Sequence, residues 1–145
     1  MTEPPRLDDQ LCFSIYGALQ AMTRAYKPHL ESFGLTYPQY LVLLVLWENG
    51  DLSVKAIGDR LGLDSGTLTP LLKRLEAAGY VRRSRDRADE RVVRVTVTPA
   101  GNALRGPIAD AVRQIGCATG LDPGAMSDLR DALKTLRRRL VGEPG

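Results

Sequence analysis

Ser53-Val-Lys-Ala-Ile-Gly-Asp-Arg-Leu-Gly-Leu-Asp-Ser-Gly-Thr-Leu-Thr-Pro-Leu-Leu-Lys-Arg-Leu-Glu-Ala-Ala-Gly79 decides how the rest of the chain is read. Its first eleven residues put Val54, Ile57, Leu61 and, past a glycine, Leu63 where one helical face would be buried. Gly62 supplies a tight turn. Asp64 is placed to cap a second helix, in which Leu68, Leu71, Leu72 and Leu75 recur at helical spacing until Gly79 stops it. The opposite face is polar, with Ser65, Thr67, Thr69, Lys73 and Arg74. Hydroxyls and cations so arranged are the groups that reach base edges and phosphates when a helix lies in a major groove. Pro70 leaves two readings open, since a proline inside a helix costs about 3 kcal/mol. Either the helix is kinked there, or it begins at Thr67 with Pro70 in its first turn.

After Gly79 the period changes from helical to alternating. Val93, Val95 and Val97 face one way and Arg94 and Thr96 the other, which is a strand. Its expected partner is Tyr80-Val-Arg-Arg-Ser84, and the tip between them, Arg85-Asp-Arg-Ala-Asp-Glu-Arg91, is too polar to pack on a core. A tip of this kind suits a wing that reaches an adjacent minor groove, where arginine meets enhanced negative potential. The plainer account is that the arginines solvate a hairpin and pair with Asp86, Asp89 and Glu90. Helix, turn, helix and arginine-tipped hairpin in this order make a winged helix-turn-helix, a module that reads DNA. The expected fold class is therefore mainly α with a small β-hairpin, carrying N- and C-terminal dimerisation helices.

Composition narrows the class without fixing it. A chain of 145 residues supports one domain of ordinary size, and its formal net charge of +3 gives only a weak overall field. The distribution says more, because Arg82, Arg83, Arg85, Arg87, Arg91 and Arg94 crowd one hairpin. No apolar run reaches membrane-span length, and Met1-Thr-Glu-Pro-Pro-Arg6 lacks a signal-peptide pattern and reads as a short mobile leader, so a cytoplasmic protein is expected. Two cysteines far apart and a single histidine do not make a zinc site, and neither metal nor cofactor is expected. A permanent disulfide is disfavoured in a reducing compartment. Inert buried thiols and a transient redox pair both remain open from composition.

The first helix is expected from a cap at Asp8 or Asp9 to about Leu30. Cys12, Tyr16, Leu19, Thr23 and Tyr26 fall on one narrow arc of it, so a thiol and two phenols share a stripe. An ordinary amphipathic helix with aromatic core residues accounts for the same spacing. Thr36 and Gln39 have capping-box spacing for a second helix running to about Glu48, with Pro38 in its first turn and Tyr37 at its first position, free to point back toward the stripe. Tyr40, Leu41, Leu44 and Trp47 are its expected buried face. A further helix starts at Thr98-Pro99, with Leu104, Ile108, Val112 and Ile115 on one side, interrupted near Gly106-Pro107 and ending around Cys117. Asp122 and Pro123 open a last helix whose Met126, Leu129, Leu133, Leu136 and Leu140 follow a heptad pattern. Such a seam packs on the first helix of its own chain or on a second copy. A symmetric dimer that pairs the termini and presents two recognition helices is the economical arrangement.

In this order of elements the chain resembles the multiple antibiotic resistance regulator (MarR) family from about Leu7 to Leu140. The wing, Asp86-Arg-Ala-Asp-Glu-Arg91, carries the Asp-x-Arg of that family at Asp89 and Arg91. Leu11-Cys-Phe-Ser-Ile-Tyr16, Leu35-Thr-Tyr-Pro-Gln-Tyr-Leu41 and Leu63-Asp-Ser-Gly-Thr-Leu-Thr-Pro-Leu-Leu-Lys-Arg-Leu75 are similar to the organic hydroperoxide resistance regulators within it. The resemblance implies that Cys12 is the peroxide-reacting thiol, that Tyr26 and Tyr37 hydrogen-bond to it, and that Tyr16 lines the same pocket. It also implies that Cys117 is the resolving thiol, supplied by the other subunit as in the two-cysteine type. Ser65, Thr67, Arg74, Asp89 and Arg91 match positions used on DNA, to which the residue reading adds Thr69, Lys73 and Arg87.

The implied whole is a single winged-helix domain over 1–145, with dimerisation helices at 7–33 and 99–141. The DNA-binding region spans 36–98, with the helix-turn-helix at 53–79 and the wing at 80–98. Its partners are a palindromic double-stranded operator, a second copy of the chain, and an organic hydroperoxide as inducer. A thiol reacts with peroxide as thiolate, and the first turns of a helix favour negative charge, although Asp8 and Asp9 oppose it. Apolar neighbours of the sulfur would form a pocket that prefers organic hydroperoxides to hydrogen peroxide. The rival functions are a MarR-type repressor that binds a small aromatic ligand, a thiol peroxidase that turns over at Cys12, and a DNA-coating protein with little sequence preference.

Overall fold

The computed structural model describes residues 2–143, so Met1 of the expected leader lies outside it. A 3-10 turn, Leu7–Asp9, leads into α1 (Leu11–Glu31) and α2 (Tyr37–Asn49). Then come β1 (Leu52–Ser53), α3 (Val54–Leu61), α4 (Ser65–Ala77), β2 (Val81–Arg85) and β3 (Val93–Val97). A short α5 (Pro99–Asn102) precedes α6 (Arg105–Ala118) and α7 (Pro123–Val141). The chain clusters into two compact units, Met1–Ala111 and Val112–Gly145, and α6 runs from the first into the second.

In the first unit α2 is central. The capping box forms as expected: Gln39 Oε1 accepts the Thr36 N–H at 2.9 Å, and Thr36 in turn accepts from the Gln39 backbone. The expected buried face of α2 is corrected, however. Tyr40 is buried, but Leu41, Leu44 and Trp47 are only partly so, while Val42, Leu43, Val45 and Leu46 are buried. A helix apolar nearly all round carries no periodic signal to say which arc faces inward. Val42 and Leu43 of α2, Ile57 of α3, Leu68 of α4 and Val95 of β3 are all fully buried. Each such side chain stabilises the fold by about 1.5–3 kcal/mol relative to exposure.

The helix-turn-helix is built as the sequence specified, with one addition. Ser53 accepts the Ala56 N–H at 3.0 Å to cap α3, Gly62 takes φ 69° in the left-handed region, and Asp64 accepts the Thr67 N–H at 2.7 Å to cap α4. The addition is Gly58, where a Cβ would lie 2.6 Å from the Leu63 carbonyl oxygen as the turn folds back. Of the two readings of Pro70, a start at Thr67 is ruled out, because α4 begins at Ser65 and contains Pro70 within it. The missing proline N–H leaves the Gly66 carbonyl without its intrahelical partner in the exposed first turn, where water can serve it.

The hairpin is one part of a three-stranded antiparallel sheet in the order β1-β3-β2. β2 pairs with β3 through Val81↔Val97, Arg83↔Val95 and Arg85↔Val93, while β1 adds Leu52↔Val95 and Ser53↔Arg94 on the far edge. A two-residue strand is too short to show alternation, so a two-stranded hairpin was all the sequence could specify. Two other boundaries also differ. Asp8 and Asp9 sit in the 3-10 turn and do not cap α1, whose N-cap is Gln10 with no side-chain bond. The break after Thr98 falls at Ala103–Leu104, ahead of Gly106-Pro107, because both of those residues fit the first turn of α6.

In the second unit Asp122 caps α7 by accepting the Ala125 N–H at 2.8 Å. The heptad positions of α7 stay open within one chain: Leu129, Leu133 and Leu140 are 51 %, 41 % and 78 % exposed, and no residue of the helix is buried.

Candidate nucleic-acid interface and thiol site

Capping at Asp64 and burial of Leu68, Leu72 and Leu75 fix which way α4 faces. Ser65, Thr67, Lys73 and Arg74 are thereby exposed, and Thr69 is half-buried. Thr69 lines a cleft with Ser53, Lys55, Arg83 and Arg91, so the polar side of α4 and two wing arginines border the same groove. At the tip, Asp86 accepts N–H bonds from Ala88 at 2.7 Å and Asp89 at 3.3 Å, which closes the turn. Asp89 then accepts from Arg91 through the backbone N–H at 3.1 Å, Nε at 3.0 Å and Nη2 at 3.2 Å. These bonds, the side-chain ones foremost, hold the Asp89 carboxyl below the usual aspartate value. The Arg91 side chain nevertheless remains 91 % exposed, so Asp89 orients the cation without burying it. Arg87 is exposed at the tip.

Hairpin solvation does not account for all six arginines. Arg94 donates Nε to Asp51 at 2.9 Å and pairs with Asp86 at 3.6 Å, which ties the wing to the loop between α2 and β1. Arg83 donates its backbone N–H to Glu76 Oε2 at 2.8 Å, and Nε and Nη2 to Oε1 at 3.2 and 3.0 Å. Glu76 on α4 thus clasps the root of the wing. Sequence reading passed over Glu76 and Asp51, because their partners are set by the sheet register rather than by helical spacing.

The Arg83 bonds, its backbone N–H first and its side chain next, lower the Glu76 carboxyl from its ordinary 4.5. A depressed folded value means stability that is fully present above about pH 4.5 and lost as pH falls through the folded value. Glu76→Gln should therefore flatten the fall of Tm with acid below about pH 4.5. Thermal unfolding of both proteins across that range checks it, and coincident acid limbs would contradict the clasp.

Cys12 is the second residue of α1, exposed, and Cys117 lies exposed in the last turn of α6; both thiols are free. Within one chain neither is the buried inert thiol that composition left open. The phenols assigned to Cys12 are elsewhere. Tyr26 and Tyr37 stack edge to face with ring centres 5.3 Å apart, at the far end of α1. Fourteen residues at about 1.5 Å rise put Tyr26 about 21 Å along the helix from Cys12, so no bond between them forms inside one chain. Tyr16, one turn from Cys12, is 59 % exposed and borders an open groove with Leu19, Gln20, Thr23, Arg24 and Lys27. The apolar pocket expected around Cys12 is thus not enclosed by one chain. Tyr40 is 4 % exposed and joins the phenol cluster at 5.3 Å from Tyr26 and 5.7 Å from Tyr37, a proximity that its place in the apolar run of α2 concealed.

Among the described residues no helix is long and apolar enough to cross a membrane, and no cluster of three or more His, Cys, Asp or Glu side chains is placed to hold a metal ion.

Fold and interface together define a winged helix-turn-helix regulator of transcription. Residues 24–105 match the family described as transcriptional regulator SarA/Rot. Over 143 residues the chain is 52 % identical to the HTH-type transcriptional regulator TtmR of Methylorubrum extorquens (strain PA1), covering 99 % of this chain and 73 % of that protein. Over 138 residues it is 44 % identical to the organic hydroperoxide resistance transcriptional regulator of Bacillus subtilis (strain 168), covering 93 % and 92 %. Among solved structures, reduced AbfR bound to DNA superposes with a TM-score of 0.79 at 37 % identity over 94 % of this chain and 95 % of that one. AbfR, a Staphylococcus epidermidis protein, is also known in a disulfide-formed state, which superposes with a TM-score of 0.68 at 40 % identity over 90 % and 92 %. The chain belongs to the SarA/Rot family of transcriptional regulators, of MarR type, and its relatives are regulators rather than enzymes.

Proposed function

We propose that the protein is a homodimeric cytoplasmic repressor that binds a palindromic operator and leaves it when an organic hydroperoxide oxidises Cys12. The observation that carries this reading is the placement of Cys12, exposed at one end of α1 with its phenols about 21 Å away at the other end. A second copy of α1 running antiparallel brings Tyr26 and Tyr37 of the partner subunit to Cys12, and the symmetry repeats the contact. The apolar side chains left open at the chain's two ends, Leu11, Phe13, Leu19 and Met22 on α1 and Leu129, Leu133 and Leu140 on α7, support the same pairing. Relatives described as an organic hydroperoxide resistance regulator and as a disulfide-formed DNA-binding protein point to the same chemistry.

In the first step the Cys12 thiolate attacks the peroxide oxygen. The O–O bond breaks, an S–O bond forms, and the peroxide leaves as an alcohol after taking up a proton. In the second, the thiolate of Cys117 of the partner subunit attacks the sulfenic sulfur, forming S–S and releasing water. The covalent link changes which tyrosine contacts survive and shifts the terminal helices. Two recognition helices must sit about 34–36 Å apart to occupy successive major grooves, so a shift in their spacing releases the operator.

On DNA, α4 supplies Ser65, Thr67, Thr69, Lys73 and Arg74 to the major groove, while Arg91, aimed by Asp89, and Arg87 enter the minor groove. Arg91→Ala should weaken operator binding by about 1–3 kcal/mol and lower the salt slope by about one unit, while Cys12 oxidises as before. Titration of a palindromic duplex at several salt concentrations, before and after cumene hydroperoxide, tests both halves of the reading. An unchanged slope would leave Arg91 a hairpin solvator, and undiminished binding after oxidation would remove the sensor.

A further inference from the structure

Arg94 differs from Arg91 in where its guanidinium points. It stands on β3, the central strand, paired with Ser84 of β2 on one side and with Ser53 of β1 on the other. From that fixed base Nε donates to Asp51 Oδ1 at 2.9 Å, Nη2 donates to the Asp51 carbonyl at 3.3 Å, and Nη1 faces Asp86 Oδ2 at 3.6 Å. Each of its three nitrogens thus faces a protein oxygen, and the side chain is 36 % exposed against 91 % for Arg91. Two carboxylates on one guanidinium leave it little net charge to offer a phosphate.

We propose that Arg94 is a positioning residue for DNA binding: by bridging Asp51 and Asp86 it presets the wing tip that carries Arg91. The proposal rests on the reading that Arg91 enters the minor groove. From Arg94 to Arg91 the chain of contacts is continuous. Asp86 turns one carboxylate oxygen to Arg94 and with the other accepts the N–H groups of Ala88 and Asp89. Its own N–H donates to the Val92 carbonyl at 2.8 Å, and the Val92 N–H donates to the Asp89 carbonyl at 3.0 Å, so both ends of the tip are closed. Asp89, fixed at its backbone by this turn, holds Arg91 through Nε and Nη2. Rotation of the Asp86 carboxylate would loosen the turn, and Arg94, anchored on Asp51 in the loop between α2 and β1, opposes that rotation.

An exposed ion pair by itself stabilises a fold very little, so the effect of this bridge falls on the pose of the tip. A wing that samples many poses binds with its affinity reduced by the fraction of time spent in the competent one. A tip competent one-tenth of the time binds about tenfold more weakly than a preset one. Presetting leaves the number of phosphates neutralised as it was, and the salt slope with it. Charge alone predicts the opposite outcome at Asp51. Removing that carboxylate takes a negative charge from a protein that must approach a polyanion, which by electrostatics tightens binding.

The test uses full-length reduced protein and a palindromic duplex selected from a random pool by the wild type, titrated at several salt concentrations. Asp51→Ala, Arg94→Gln, Arg91→Ala and the double variant Asp51→Ala/Arg91→Ala are compared, with thermal unfolding alongside to confirm that each is folded. Asp51→Ala should weaken binding several-fold despite its gain of positive charge, and its salt slope should match wild type. Arg94→Gln should weaken binding at least as much, since both carboxylates then lose their partner. Added to Arg91→Ala, the Asp51 change should have no further weakening effect, because the group it positions is gone. Binding by Asp51→Ala as tight as wild type or tighter, or a loss undiminished without Arg91, would overturn the proposal and leave Arg94 a surface ion pair. Failure of the wing reading looks different: Arg91→Ala would itself bind with unchanged affinity and slope, and the proposal would fall with it.

Discussion

Cys12→Ser should hold the operator at every concentration of organic hydroperoxide that releases the wild-type protein. Moving a site from almost fully occupied to almost empty takes a change of about 10⁴ in affinity, or about 5.5 kcal/mol, and on this account the sulfur chemistry supplies all of it. The reduced protein should bind DNA like wild type, since Cys12 lies on α1, outside the helix and the wing assigned to DNA. Operator titration with and without cumene hydroperoxide measures both. Release of Cys12→Ser by peroxide would reject the sensor. Retention of peroxide-insensitive DNA binding by both proteins, with release by an aromatic acid, would favour the small-ligand rival instead.

Cys117→Ser should convert a reversible switch into an irreversible one. The first oxidation needs only the sensing thiolate, so Cys12 should react at a similar rate. With no resolving thiol the sulfenic acid persists, and excess peroxide carries it to sulfinic and sulfonic acids that thiol reductants do not reverse. Dithiothreitol should then restore operator binding to oxidised wild type and not to the variant. Exposure of Cys117 in the last turn of α6 leaves it open to attack the oxidised sulfur. Mass spectrometry decides the point, because full recovery of the variant without sulfinate at Cys12 would remove Cys117 from the mechanism.

The helix-turn-helix was legible because every signal in it is local. The Asp64 cap, the Gly62 turn and the leucine spacing of α4 each act within a few residues, and each is present in the fold. β1 was not legible, because a two-residue strand exists only through its pairing with β3. Glu76 and Asp51 were missed for a related reason: the Glu76–Arg83 and Asp51–Arg94 pairs depend on sheet register, which helical periodicity does not report. Pro70 shows propensity overridden, since the capped start at Ser65 and the buried leucines outweigh one lost backbone bond near the helix start.

At the thiol site the sequence located Cys12, Tyr16 and Tyr26 on one stripe of α1, yet a stripe carries no information about length. Only the rise of the helix separates the sulfur from the phenols by about 21 Å, which on the proposed reading calls for a second subunit. Tyr40 stayed hidden because an aromatic within an apolar helix gives no sign of which other rings it meets. Cys117 is exposed, whereas a lone thiol near a helix end reads in sequence as an ordinary small hydrophobe.

The central claim is that oxidation of Cys12 takes the protein off DNA, and that in the wild-type protein it does so through a reversible bond between subunits, Cys12 to Cys117. Its most direct test is a non-reducing gel of wild-type protein treated with cumene hydroperoxide, with operator binding measured on the same samples. The account predicts that a covalent dimer appears in step with loss of binding, that its linking peptide joins Cys12 to Cys117, and that dithiothreitol reverses both together. Loss of binding while the protein still runs as a monomer, or a covalent dimer that stays on the operator, would contradict it.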